Sequence, residues 1–193
     1  VGSARSFGDL LKEIGLGETV LKEKDGKLIR MVEIVIVFVF NKKGEWLVEK
    51  PQHFVDGRTR SRRFPYISET LRLGEHPVDT AVRAVKEETA GHVTARKDQL
   101  IEGEITDLTL DHPYNTGSTS YPGLASVKKA YTFAYFIGRG EYKKEYVEVD
   151  GSGTITVHTW KPGRYPRTAL IPFAWAGHYN HTSSFACPES FFF

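Results

Sequence analysis

The feature that most limits the fold of this chain is a run of seven apolar residues, Ile34 to Phe40, with the sequence IVIVFVF. Val, Ile and Phe favour extended backbone, and an uninterrupted apolar run is typical of a strand with both faces buried. A membrane-spanning helix needs about 20 apolar residues, so the run is too short to cross a bilayer. We therefore predict a central strand over residues 32–40 and no membrane span.

Other strand-like segments, separated by turn signals, lie on both sides of this strand. Asp25-Gly26 predicts a hairpin within residues 19–40, and Asp150-Gly151 predicts another within residues 145–160. Further strands are predicted at 46–48, 64–67, 99–110 and 127–138, and polar loops at 41–44, 55–63 and 112–124.

Two helices are predicted. Ser6 is a suitable N-cap for a short helix that ends near Gly15. Residues 77–90 have an apolar stripe at helical spacing, a proline at the first helical position and Gly91 as the stop after the last turn. A β-rich segment, a helix and a second β-rich segment predict the α+β class with a mixed β-sheet.

The length of 193 residues suits one domain with extensions. We predict an N-terminal helical extension at 1–18, a main domain at 19–160, and an aromatic, proline-rich C-terminal extension at 161–193 that packs on the domain. The net charge of +2, from 26 basic and 24 acidic residues, argues against a protein that coats nucleic acid. The single cysteine, Cys187, excludes an internal disulfide and is expected to be inert.

Three charged residues of the second helix suggest chemistry. Arg83 and Glu87 are four residues apart and can form an ion pair on one helix face. Glu88 lies next to Glu87, and two adjacent carboxylates are tolerated either in water or around a cation. Carboxylate oxygens suit Mg²⁺ or Mn²⁺, ions that accompany phosphate substrates. A solvated face of an ordinary amphipathic helix is the alternative.

The spacing of these residues resembles the Nudix box, G-x5-E-x7-R-E-U-x-E-E-x-G-U, where U is a bulky aliphatic residue. Over residues 69–91, Glu75 matches the first glutamate, Arg83 the arginine, and Glu87 and Glu88 the paired glutamates. The resemblance implies a Nudix-like α/β/α sandwich with a mixed β-sheet. It also implies a metal-dependent pyrophosphohydrolase that cleaves a diphosphate linkage in a nucleotide or other organic diphosphate.

The box has three departures, because Glu69, Ala84 and Ala90 replace the first glycine, the second glutamate and the last glycine. If position 84 faces the metal, Ala84→Glu is expected to tighten Mg²⁺ binding. A missing ligand is sought on another strand or loop, where the candidates are Glu102, Glu104, Asp107 and Asp111.

The resemblance assigns roles to the matching residues. Glu88 and Glu87 are predicted to be catalytic, and Glu75 and Arg83 to form a structural pair. Glu87 and Glu88 are the predicted ligands of Mg²⁺ or Mn²⁺ from the box, and Glu104 is the predicted ligand from outside it. Two histidines three residues apart, His178 and His181, are a weaker alternative as ligands.

Four arginines precede the box within six residues: Arg58, Arg60, Arg62 and Arg63. Guanidinium groups bind phosphate through paired hydrogen bonds, so the segment is predicted to hold a polyphosphate, a dinucleotide or an RNA 5′ end. Tyr66 lies close by and is predicted to contribute to substrate binding by stacking on a base. The alternatives are a solubilising loop and a tyrosine that packs on the sheet.

Two further functions compete with the hydrolase. The departures from the box favour a Nudix-fold protein without hydrolysis, which acts as a binding module or a subunit of a complex. An enzyme that acts on prenyl diphosphates is the other alternative. We expect a small-molecule diphosphate substrate, a protein partner or a homodimer, and no nucleic acid other than an RNA 5′ end. An intracellular location, cytoplasmic or organellar, is expected, with a trimmed N-terminus before Val1.

Overall fold

The structure is a computed structural model, and it describes residues 4–62, 65–107 and 120–162. Two α-helices are present in these residues, α1 at Phe7–Gly15 and α2 at Pro77–Glu88, with a 3₁₀ turn at Lys97–Gln99. The strands are β1 Val20–Lys24, β2 Lys27–Phe40, β3 Trp46–Glu49, β4 Gln52–His53, β5 Thr59–Arg60, β6 Ile67–Thr70, β7 Ile101–Asp107, β8 Ala125–Phe136, β9 Glu145–Val149 and β10 Ile155–Lys161.

All described strands belong to one mixed sheet, which confirms the predicted α+β class. Its main path is β5-β4-β10-β3-β2-β8-β7, and β1 and β6 pair with β2 while β9 pairs with β10. The long strand β2 pairs in parallel with β8 over residues 29–40 and 125–136, and the other recorded pairings are antiparallel. β2 is therefore the centre of the sheet, as its apolar run predicts.

Both faces of β2 are buried. Val35, Val37 and Val39 belong to a core cluster that includes residues of α2. Phe38 and Phe40 belong to a second cluster, whose described members come from β2, β3, β7 and β8 and from Tyr66. Because successive side chains of a strand point to opposite faces, odd-numbered residues of β2 face α2 and even-numbered residues face away from it.

Helix α2 packs its small apolar side chains on the sheet. Ala81, Ala84 and Val85 have no exposed surface, whereas Val82 is half-buried. Pro77 is the first residue of the helix, as predicted, and the side chain of His76 caps it by accepting a hydrogen bond from Val78 N–H at 3.3 Å. The helix ends at Glu88, two residues before the predicted end.

Helix α1 lies on the opposite face of the sheet from α2. Ser6 caps it as predicted, and the buried Glu13 accepts hydrogen bonds from Arg30 Nε and Nη2 at 3.2 and 2.6 Å. Arg30 is an even-numbered residue within the continuous register of β2 with β8, so its side chain leaves the face that α2 does not cover. The mixed sheet therefore has a helix on each side.

Most of the predicted turns and strands are present. Asp25 and Gly26 both have positive φ in the β1–β2 turn, and β9 and β10 pair as the second predicted hairpin. The polar segment 55–63 includes one unpredicted feature, the short strand β5, where Arg60 pairs with Gln52 of β4. The strand predicted at 64–67 corresponds to β6, which begins at Ile67.

Several predictions lie outside the described residues. These are most of the loop 112–124, the residues from 163 onwards, Cys187, and the pair His178 and His181. The division of the chain at residues 18 and 160 stays a prediction. Within the described part of the chain, no helix is long and apolar enough to cross a membrane.

One departure from the box, Ala90 in place of the last glycine, lies at the end of α2 where the backbone is left-handed. Ala90 has a φ of +50° and Gly91 a φ of +76°, so the left-handed residue directly after the cap is Ala90, not Gly91 as the sequence predicts. Two hydrogen bonds close this end, from Ala90 N–H to Glu87 O at 2.9 Å and from Gly91 N–H to Lys86 O at 2.7 Å. The backbone here therefore has the conformation that a glycine adopts without strain.

We expect Ala90→Gly to raise the free energy of unfolding by about 0.5–1 kcal/mol, because a left-handed conformation strains any residue with a Cβ. Gly91→Ala is the matched opposite change. No atom of the described residues lies within 4 Å of a Cβ added there, so the expected cost of about 1 kcal/mol comes from the backbone. Urea denaturation of both variants measures the two effects. A destabilised Ala90→Gly variant would contradict the left-handed conformation.

Candidate functional site

The paired glutamates at the end of α2 have different surroundings. The Glu87 side chain is 50% exposed and pairs with Arg83, with 3.4 Å between Oε2 and Nη1. Glu88 is only 8% exposed and faces the sheet. Consecutive helix residues are about 100° apart around the axis, so adjacent side chains can have different surroundings, and here Glu88 faces the sheet while Glu87 faces outward. The structure thus brings Glu88 into a buried site and leaves Glu87 at the surface.

Glu88 meets two buried side chains from neighbouring strands. Glu49 ends β3, and His158 lies directly opposite it in β10. One potential ligand atom from each of Glu49, Glu88 and His158 lies within 4.8 Å of the other two. His158 Nε2 and Glu88 Oε2 are 3.4 Å apart. The three residues, which we call the Glu-Glu-His cluster, are the candidate functional site.

The cluster contains buried polar atoms that lack hydrogen bonds. His158 has no exposed surface, and neither of its ring nitrogens has a hydrogen-bond partner among the described residues. Both carboxylate oxygens of Glu49 are also buried and also lack a hydrogen-bond partner in the described part of the chain. Arg62 Nε lies 3.2 Å from Glu49 Oε2, an ion pair whose geometry does not make a hydrogen bond. Buried polar atoms without partners are rare and costly, which favours a site that a ligand completes.

Burial and two charged neighbours, Arg62 and Glu148, determine the pKa values in the cluster. The Arg62 guanidinium is the nearby positive charge, with 3.9 Å between its Nη1 and Glu88 Oε1. Glu148 of β9 is a further carboxylate that interacts with Glu88. Burial raises the pKa of Glu88 to about 8, with Glu148 and Glu49 adding to the rise and Arg62 opposing it. Burial likewise raises the pKa of Glu49 and of Glu148 and lowers the pKa of His158 to about 4.

At neutral pH, His158 is therefore a neutral imidazole and Glu88 mostly a neutral carboxylic acid. A neutral imidazole is the form that ligates metals, because a ring nitrogen then carries a lone pair. A cation that binds Glu88 displaces its proton. Two carboxyl groups and one imidazole form a donor set that fits a divalent metal ion, and the residues that would hold it are Glu49, Glu88 and His158.

The raised pKa of Glu88 predicts how stability changes with pH. Its pKa is about 8 in the folded state and near 4.5 in the unfolded state, so the folded state binds more protons between these values and the free energy of unfolding falls as pH rises. His158, with a pKa lowered from 6.5 to about 4, acts in the opposite direction, with most of its effect below pH 7. The window from pH 7 to 8 therefore reports mainly on the buried carboxyl groups.

We expect the metal-free protein to lose about 1 kcal/mol of stability between pH 7 and pH 8, and Glu88→Gln to lose much less. Urea denaturation in the presence of a chelator measures both. Glu23→Gln, a change of an exposed carboxylate on β1, is the control and should follow the wild type. Equal slopes for wild type and Glu88→Gln would show that Glu88 is ionised in the folded protein.

The Glu75–Arg83 pair predicted from the box is present. Arg83 donates from Nε and Nη2 to the two Glu75 oxygens, both at 3.1 Å, and from Nη2 to Thr70 O at 3.1 Å. Glu69, which replaces the first box glycine, lies 3.7 Å from Arg83 Nη1. Arg83 therefore ties α2 to β6 and to the turn before the helix.

Of the predicted arginines, the structure brings Arg62 to Glu88. Arg60 donates two hydrogen bonds to Gln52 Oε1, at 2.6 and 3.1 Å, on the neighbouring strand. Arg58 is exposed and pairs with Asp56 at 2.6 Å. Arg63 lies outside the described residues. Among the described arginines of this segment, Arg62 is therefore the one that contacts the Glu-Glu-His cluster.

Two other predicted site residues lie elsewhere. Tyr66 makes an edge contact with Phe38, at 5.3 Å between ring centroids, on the sheet face away from α2. Glu104 lies on β7, three strands from β3, and with strands about 4.8 Å apart it is about 14 Å away across the sheet. Glu102 is on the same strand, the side chain of Asp107 is not described, and Asp111 lies outside the described residues. The structure therefore does not bring Tyr66 or Glu104 to Glu88.

Three residues near Glu88 were missed by sequence reasoning: Glu49, Glu148 and His158. Glu49 carried a signal, because it follows the alternation of β3 at an inward position where an apolar residue is expected. Glu148 and His158 carried none, since only the pairing of β9, β10 and β3 brings them to the end of α2.

No protein-family model and no curated protein sequence matches this chain. Among solved structures, the chain is similar to a MutT/nudix family protein from Enterococcus faecalis, with a TM-score of 0.38 and 14% sequence identity. The alignment covers 78% of this chain and 58% of that protein, so it spans little more than half of that protein's length. A similarity at this level assigns neither a family nor an activity to the chain.

Proposed function

We propose that this chain is a metal-dependent hydrolase of organic diphosphates of the Nudix type, with the Glu-Glu-His cluster as its centre. The observation that supports it is that two separate sequence features, the box and the arginine segment, meet at one buried cluster. Glu88, singled out by box spacing, meets two other buried ligand-type side chains, and Arg62, from the arginine segment, lies at the same point. A small-molecule diphosphate is the expected substrate, since cation-binding carboxylates and phosphate-binding arginines meet there.

In this proposal Glu49, Glu88 and His158 hold the ion. A bound divalent ion would neutralise charge on the diphosphate and would favour departure of the leaving phosphate. Arg62 exchanges its ion pair with Glu49 for a contact with a phosphate oxygen, which is a charge-assisted hydrogen bond.

Glu148 is the candidate general base for the attacking water, because it adjoins Glu88 and burial raises its pKa toward neutrality. The water oxygen forms a bond to phosphorus, its proton passes to the Glu148 carboxylate, and the bridging P–O bond breaks. The leaving phosphate departs with the electron pair of that bond.

One observation favours the alternative of a binding module without hydrolysis. The Arg62 guanidinium already lies between the Glu49 and Glu88 carboxylates and supplies them with a positive charge from within the chain. In that function Arg62 keeps this place, and the ligand is bound without cleavage.

Incubation with representative diphosphates separates the two functions. The panel contains a nucleoside diphosphate sugar, a dinucleoside polyphosphate and a prenyl diphosphate, each with Mn²⁺ or with Mg²⁺, and products are followed by ³¹P NMR. We expect cleavage of at least one substrate class, abolished by a chelator. Binding of a panel member without cleavage under any of these conditions would favour the binding module.

A further inference from the structure

We propose that the Glu-Glu-His cluster selects a first-row divalent transition-metal ion, such as Mn²⁺ or Zn²⁺, over Mg²⁺. The inference deepens the proposed function and rests on it for what the ion does, since it names the class of ion that the same site takes. Its support is the chemistry of the donor atoms and their burial, and metal binding can be measured without any substrate.

The donor set is mixed. Two ligand atoms are carboxylate oxygens, from Glu49 and Glu88, and the third is an imidazole nitrogen of His158. Mg²⁺ prefers an octahedron of oxygen ligands and keeps several waters, whereas imidazole nitrogen suits the first-row transition metals. A site with a buried imidazole among its three protein ligands is therefore better matched to a transition metal.

The state of His158 supports this assignment independently of the carboxylates. Its side chain is 1% exposed, and within residues 4–62, 65–107 and 120–162 neither ring nitrogen has a hydrogen-bond partner. A buried imidazole in a purely structural role normally donates through one nitrogen and accepts through the other. His158 directs Nε2 toward the cluster, at 3.4 Å from Glu88 Oε2, so a metal ion would supply the missing partner.

The backbone positions two of the three ligands firmly. Glu49 and His158 are directly opposite each other in the antiparallel pair β3–β10, and their side chains share the sheet face that α2 covers. Glu88 reaches them from the last residue of α2. Ligands on regular elements lose little conformational freedom on binding, which favours a defined coordination geometry over loose capture of a hydrated ion.

Calorimetric titration of the chelator-treated protein with MnCl₂, ZnCl₂ or MgCl₂ tests the proposal. We expect one site per chain and an affinity for the transition metals about a hundredfold higher than for Mg²⁺. His158→Gln should weaken Mn²⁺ and Zn²⁺ binding by about tenfold or more and change Mg²⁺ binding little. His53→Gln, on the exposed side of β4, is the matched control and should bind as the wild type does.

A spectroscopic readout requires no variant. Pulsed electron paramagnetic resonance of Mn²⁺ bound to the wild type should show coupling to an imidazole ¹⁴N nucleus. The coupling should disappear in His158→Gln and persist in His53→Gln. If His158→Gln does not fold, two measurements test the proposal without it. These are the ¹⁴N coupling in the wild type and weakened Mn²⁺ binding in Glu49→Gln.

Mg²⁺ binding as tight as Mn²⁺ binding, absence of ¹⁴N coupling, or no metal binding at all would overturn the proposal. The proposed function fails in a different way. Selective Mn²⁺ or Zn²⁺ binding without hydrolysis would sustain the metal assignment and contradict the hydrolase. Hydrolysis that depends on Mg²⁺ and is unchanged in His158→Gln would sustain the hydrolase and contradict the metal assignment.

Discussion

Replacing Glu88 with glutamine should lower metal-dependent diphosphate hydrolysis by at least about tenfold, which corresponds to about 1.4 kcal/mol of transition-state stabilisation. The change keeps the size of the side chain and removes its ability to become a carboxylate. Glu88 is buried between Glu49, His158 and Arg62, so the change removes one of the three side chains proposed to hold the ion. Steady-state turnover at saturating metal measures the effect.

Two further variants show whether the loss is specific. Glu23→Gln changes an exposed carboxylate on β1 and should leave turnover unchanged. Glu87→Gln separates the sequence prediction from the structural one, because the box assigns Glu87 to the metal whereas the structure pairs it with Arg83. The structure predicts a smaller loss for Glu87→Gln than for Glu88→Gln. Full turnover in Glu88→Gln would remove this residue from the mechanism.

Ala84→Glu should destabilise the fold by about 3 kcal/mol or more, because it places a carboxylate in the apolar core. Ala84 has no exposed surface and packs in the cluster that contains Val35, Leu47 and Val85. The expectation that this change rebuilds a metal site is therefore corrected by burial. Position 84 faces the sheet one turn before Glu88, where a second carboxyl group would have no solvent and no described cation beside it.

Lys86→Glu is the matched control for Ala84→Glu. It adds a carboxylate to the same helix at an exposed position and should cost less than about 1 kcal/mol. Urea denaturation compares the two variants, and calorimetric titration with Mn²⁺ examines any gain in metal affinity. A stable Ala84→Glu variant with tighter metal binding would show that position 84 faces the metal, and would contradict the packing described for α2.

The sequence predicted the parts of the fold that depend on local patterns. The apolar run of β2, the stripe and Pro77 of α2, and the Asp25-Gly26 turn each have a signal within a few residues. The 3₁₀ turn at 97–99 and the strand β5 had no such signal, because short elements depend on their neighbours in the sheet.

For the site, spacing along one helix identified Glu88 and the Glu75–Arg83 pair. Spacing could not show that the end of α2 meets β3 and β10, so it did not indicate that His158 lies beside Glu88, whereas Glu104 lies on β7. The difference in burial between Glu87 and Glu88 also depends on packing. The sequence alone does not show which of two adjacent helix residues faces the sheet.

The most direct test of this account is a crystal structure of the protein grown with Mn²⁺, with anomalous scattering measured at the manganese absorption edge. One strong peak is expected within about 2.3 Å of ligand atoms from Glu49, Glu88 and His158, with the Arg62 guanidinium turned away from Glu49. A peak beside Glu87, or an Arg62 that stays between Glu49 and Glu88 with no ion bound to the cluster, would contradict it.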